Sequence, residues 1–153
     1  MLYELVKTIH ILSAAVLFGT GLGTAWFMWR ANRSGDVALI FGTARLVVLA
    51  DLLFTTPAVI VQPLSGFWLI HLAGYGLTET WLMWTYGLYA VAGACWLPVV
   101  WLQVRMRDLA ASSCTGKRPL PPQYHRLQRI WFILGWPAFL AVIVIVHLMV
   151  AKP

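Results

Sequence analysis

Three of the chain's four histidines, His10, His71 and His147, lie in long stretches without charge. Polar and ionisable groups inside an apolar span are costly, so they are kept for function or for pairing. Imidazole is a common axial ligand of haem iron, and helix bundles build such sites from facing side chains. Arg45 and Asp51 interrupt the apolar second span, and Lys7 stands one turn before His10 on the same helix face. A b-type haem needs one or two imidazoles, an apolar aromatic-lined pocket and cations near its propionates. Nine Trp, five Tyr and seven Phe are available for the lining, and Lys7 and Arg45 as cations.

Each residue also has a plainer reading. A membrane histidine can serve as a hydrogen-bond partner between helices. Tryptophans at helix ends, such as Trp29, Trp81 and Trp131, form an interfacial belt, and Lys7 can snorkel to the surface. Met149 is a further axial candidate, but two residues from His147 it faces nearly the opposite way. Arg45 and Asp51 are six residues apart, about 240° around a helix, so they do not pair locally. Asp51 is the deepest charge and suits a proton relay, a substrate contact or an interhelical hydrogen bond. His125 lies among basic residues and reads as solvated.

The elements that must position these groups follow from the charge map. Only 10% of residues are charged and 61% are hydrophobic, against about 25% charged in a soluble domain. Between Lys7 and Arg30 lie 22 residues without Asp, Glu, Lys or Arg; the gaps Asp51–Glu79, Glu79–Arg105 and Arg129–Lys152 hold 27, 25 and 22. A spanning helix needs about 20 apolar residues. The expected fold is therefore all-α: a polytopic membrane protein with a four-transmembrane-helix bundle as its single domain. The spans are expected at about 2–29, 37–72, 80–105 and 124–150. No cleavable signal peptide is expected, because the first apolar segment is too long and no small-residue cleavage site follows it.

Arg30 and Arg33 follow the first span. Six more basic residues lie between the third and fourth: Arg105, Arg107, Lys117, Arg118, Arg126 and Arg129. The connection around Gly74 to Thr80 holds no Lys or Arg. By the positive-inside rule the basic loops are cytoplasmic and both termini lie outside. The net charge of +6 is thus a topology signal and implies no nucleic-acid partner. This orientation brings His10, His71 and His147 to similar depth near the outer face. Pro57, Pro63 and Gly66 are expected to kink or unwind the outer half of the second span. Ser112 to Pro122 reads as the one clear loop. Ala15, Gly19 and Gly23 form a small-residue stripe suited to close helix packing, in the bundle or in a homo-oligomer. Cys95 and Cys114 have no pairing or metal spacing. No nucleotide loop, Ser-His-Asp pattern or paired carboxylate set is present.

The sequence resembles the DUF2269 family of small predicted membrane proteins and, more distantly, HemJ-type protoporphyrinogen oxidases. Lys7-Thr8-Ile9-His10-Ile11 is similar to the HemJ Lys-x-x-His start. Thr55-Thr56-Pro57-Ala58 with Gly66-Phe67-Trp68-Leu69 is similar to that family's second span, and Met149-Val150-Ala151-Lys152-Pro153 to its C-terminal Val-Val-Lys-Pro motif. The resemblance covers most of the chain in order. It implies a bacterial inner-membrane protein with periplasmic termini that binds haem b and performs electron transfer or porphyrinogen oxidation. His10 is its first ligand, and Lys7 is a cation of the pocket. The Tyr-His pair that follows the first span in HemJ is replaced here by Phe27-Met28-Trp29-Arg30, a departure that bears on the oxidase activity more than on haem. The expected site set is therefore His10, His71 and His147 for the iron, with Lys7 and Arg45 in the cofactor pocket. Quinone or a respiratory-chain protein is the expected electron partner. The alternative is a cofactor-free helix bundle that serves as an assembly partner or small-solute carrier.

Overall fold

A computed structural model describes residues 1–152, and the expected all-α membrane architecture is what it shows. Four helical runs are long and apolar enough to cross a bilayer: Leu2–Ser34, Val37–Ala73, Thr80–Thr115 and Pro122–Ala151. Helix α1 (Leu2–Ser34) turns into α2 (Val37–Ala50) at Gly35, which adopts a left-handed φ of 71°. Such a conformation suits a residue without a Cβ. Asp36 then caps α2, its Oδ1 accepting from the Ala38 amide at 2.9 Å. After a π-helical turn, α3 (Thr56–Ala73) completes the second span and ends at Gly74, φ 73°. Helices α4 (Thr80–Thr115) and α5 (Pro122–Ala151) form the last two spans.

The pattern of burial is that of a protein turned toward lipid. Leu12, Leu46, Leu64, Leu97 and Ile133 all point outward and are well exposed. Lipid tails are as apolar as leucine, so the helices are held by close packing and hydrogen bonds rather than by exclusion from water. The best packed region lies at the end carrying the basic loops. There Met28, Ile40, Val47, Leu102, Met106 and Tyr124 form one core. Tyr124 donates from its hydroxyl to Asn32 Oδ1 at 2.6 Å, tying α5 to the end of α1.

Helix α1 packs on α2 and α3, and α4 packs on α5 and α2. Direct contact between α1 and α5 is slight. The stacked rings of Phe18 and Phe139, 4.9 Å apart, bridge these two helices. The main core therefore lies at the basic end, and a smaller one, Ile70 with Trp81 and Leu82, joins α3 to α4 at the other.

Helix α4 extends beyond its apolar stretch and includes Ser112 to Thr115, so the loop is shorter than the composition of Ser112 to Pro122 suggests. The reason is packing: Ala110 is fully buried in the core, and Ser113 is buried beside it. Ala15 and Gly19 face outward, and a methyl added at Gly19 or Gly23 would meet nothing within 4 Å. The stripe therefore packs against no helix of this chain.

The second span runs as helix from Val37 to Ala73, interrupted only by the π turn Asp51–Thr55. Pro57 has no amide proton and disturbs the turn before it. The ladder adapts there: the Thr56 amide donates to the Asp51 carbonyl five residues back, and Thr56 Oγ1 donates to the same oxygen at 2.9 Å. Helix α3 continues through Pro63 and Gly66 without unwinding.

Candidate functional site

Two polar clusters interrupt the apolar interior, one around His10 and one around Asp51. His10 is half-buried where α1 meets α3. Its Nδ1 lies 2.8 Å from Ser65 Oγ. The Ser65 hydroxyl has one proton, and at 2.6 Å that proton is directed to the Val61 carbonyl. With that proton on the backbone, the arrangement suits Ser65 Oγ as acceptor of His10 Nδ1–H, the tautomer with its lone pair on Nε2. Among the described residues Nε2 has no hydrogen-bond partner. Gln62 donates both amide protons across the same interface, to the His10 carbonyl at 2.7 Å and to Ser13 Oγ at 2.6 Å. The fit is close, since a methyl at Gly66 would approach His10 Cε1 to 3.3 Å.

Ser13, Gln62 and Ser65 were not legible as site residues from composition alone. A signal was nevertheless present. Ser13 stands one turn after His10, and Gln62 and Ser65 are one turn apart on the second span. Gln62 is also the one side-chain amide between Asp51 and Glu79.

His71 and His147 sit near the ends of α3 and α5, at the bundle end where α1 begins, and both are exposed. The C-terminal end of α5 reaches the α3–α4 connection there: Lys152 Nζ donates to the Tyr75 hydroxyl at 3.0 Å and lies over the Tyr75 and Trp81 rings. Met149 packs against Ile70, Trp81 and Leu82. The three histidines share an end without forming a ready-made cage. Among the described residues, no three His, Cys, Asp or Glu side chains are grouped to hold a metal ion. Lys7 is exposed, 5.8 Å from the Tyr3 ring centroid, and Arg45 is exposed over Phe41 at 5.7 Å.

Asp51 belongs to the second cluster. It is 5% exposed and sits in the π turn, a distortion that recurs at functional positions. Thr55 Oγ1 donates to its Oδ1 at 2.7 Å, and Gln103 on α4 approaches the same carboxyl. No basic side chain pairs with it among the described residues; Arg45 projects away to the surface. This cluster forms part of the wall of a cavity of about 500 Å³ between the two helix pairs, lined mainly by aromatic and aliphatic side chains.

Set in order along the chain, these features match one family model, that of a predicted integral membrane protein, DUF2269, over residues 4–153. The chain belongs to the DUF2269 family. For this DUF2269 protein no match is found among curated proteins or among solved structures. Membership establishes an integral membrane protein, which the four apolar helices bear out.

Proposed function

We propose that this DUF2269 protein is a haem b protein of the bacterial inner membrane, with periplasmic termini, acting in electron transfer or porphyrinogen oxidation. The observation that carries the reading is the state of His10. Ser65 Oγ lies 2.8 Å from Nδ1, and with Nδ1–H donating to it Nε2 presents its lone pair, the form in which imidazole binds iron. Iron-ligating histidines characteristically donate their other ring proton to such an outer partner, which fixes the ring's orientation. Gln62 adds to this by holding the His10 backbone against α3.

His71 and His147, at the same end and free of side-chain hydrogen bonds among the described residues, are the candidates for the second axial position. Lys7, one turn from His10 and exposed toward the surface, suits a propionate. Arg45 lies on α2, 20 residues before Ser65 and so about 30 Å along the second span from His10, out of reach of a haem held there. Bound haem would supply reversible one-electron chemistry between ferrous and ferric iron. A quinone or a respiratory-chain protein would exchange those electrons.

The test is an optical spectrum of protein purified after expression with haem available. A Soret band that is lost in His10→Ala supports the reading. A colourless protein overturns it and leaves the cofactor-free assembly or carrier role. Complementation of a strain lacking protoporphyrinogen oxidase separates porphyrinogen oxidation from electron transfer alone.

A further inference from the structure

The cavity between the helix pairs is distinct from the His10 cluster. It begins at Leu17, seven residues beyond His10 on α1 and so about 10 Å further along the helix axis. Its volume of about 500 Å³ falls in the range of small-molecule sites, about 300–1,000 Å³. Leu22, Trp26 and Trp136, which belong to its lining, are 50%, 54% and 55% exposed. The cavity therefore opens on the lipid-facing side of the bundle, where α1 and α5 barely touch.

Two kinds of group line it. The walls are flat and aromatic, with Trp29, Trp96 and Trp131 joined by the stacked Phe18–Phe139 pair. Two of the lining residues also hold buried polar atoms without partners. Gln103, 5% exposed, has a buried Oε1 with no hydrogen bond, and Trp131, also 5% exposed, has a buried Nε1–H with none. The Asp51 carboxyl, held by Thr55 and approached by Gln103, keeps further acceptor capacity. A buried polar group left unpaired in an apolar environment is strongly unfavourable. An acyl chain filling the space would satisfy none of them.

We infer that this cavity binds the headgroup of a membrane quinone or quinol, entering from the bilayer between α1 and α5. A planar ring stacks on the indoles. A ring oxygen accepts from Trp131 Nε1–H, and a quinol hydroxyl donates to Gln103 Oε1 or the Asp51 carboxyl. The isoprenoid tail leaves by the open side. This inference does not rest on haem at His10, because none of its contacts involves that cluster.

Glycines on the wall provide the test. A Cβ added at Gly135 or Gly93 meets nothing within 4 Å, so larger side chains there project into open space rather than into the fold. Gln103→Leu removes the unpaired Oε1, while Thr55 keeps its bond to the Asp51 carboxyl. Full-length protein in lipid nanodiscs is titrated with ubiquinone-1, and quenching of tryptophan fluorescence is followed together with the Soret band. Wild type should quench saturably. Gly135→Phe, with Gly93→Leu as a second blocking variant, should lose saturation. Gln103→Leu should weaken binding about tenfold, the worth of one hydrogen bond. Soret absorbance, where present, should be unchanged in all three.

Quenching that stays linear in wild type, or equal in all variants, overturns the assignment. Unaltered affinity in Gln103→Leu overturns it as well, because occupancy would then be merely apolar. Loss of the Soret band in the blocking variants would give the cavity to haem instead. A colourless protein that binds ubiquinone-1 saturably and variant-sensitively would sink the haem reading and uphold this one.

Discussion

The hydroxyl of Tyr89 on α4 donates to the carbonyl oxygen of Val59 on α3. That carbonyl is the acceptor Pro63 leaves open, because proline four residues on has no amide proton to return. One side chain from a neighbouring span therefore restores a helical bond that the sequence of span two removes. Membrane helices tolerate proline when a neighbour supplies such a partner.

Tyr89→Phe should accordingly destabilise the protein by about 1–2 kcal/mol, since it leaves a buried carbonyl unpaired. Unfolding of detergent-solubilised protein by SDS, followed by circular dichroism, measures it. If Tyr89→Phe matches wild type, the Pro63 gap is filled some other way.

Ser65→Ala frees the Nδ1 proton of His10 to seek another acceptor and loosens the ring. On the haem reading proposed above, haem affinity should fall about 10–100-fold, the usual cost of losing an outer partner of a metal-bound histidine. Haem titration of apoprotein gives the number. Retention of wild-type affinity would show that Ser65 does not orient the ligand.

Gly66→Val probes the same ring from its other side. A Cβ there already comes to 3.3 Å of His10 Cε1, and a branched side chain must displace the imidazole. On the haem reading the expected result is a shifted or weakened Soret band with helix content retained. A spectrum identical to wild type would place the iron away from His10.

Thr55→Val removes one donor to the buried Asp51 carboxyl and should cost about 1–3 kcal/mol. Pairing it with Asp51→Leu should recover most of that loss, because both partners are then apolar. A double-mutant cycle in the SDS unfolding assay reads the coupling. Additive costs would show that the two side chains act independently.

Orientation is open to labelling. On a background with Cys95 and Cys114 replaced, Leu77→Cys in the α3–α4 connection should react with an impermeant maleimide from outside intact cells. Lys117→Cys in the α4–α5 connection should react only after permeabilisation. The opposite pattern would invert the topology drawn from the basic loops.

The spans were legible because bilayer thickness imposes a one-dimensional rule: each charge-free gap has to be about 20 residues or more, and each of the four is. The shared end of His10, His71 and His147 follows from chain direction alone. The sequence also marked Asp51 as the deep charge and its lack of a pairing with Arg45, since both depend on spacing along one helix. Which partner each polar group takes depends on how separate helices are rotated against one another, and apolar sequences carry little record of that. Only the tertiary structure brought Ser65, 55 positions away, to His10 and Tyr89, 30 positions away, to Val59. The same rotation left Gln103 Oε1 and Trp131 Nε1 unpaired in residues that line an aromatic cavity no single segment of the chain reveals.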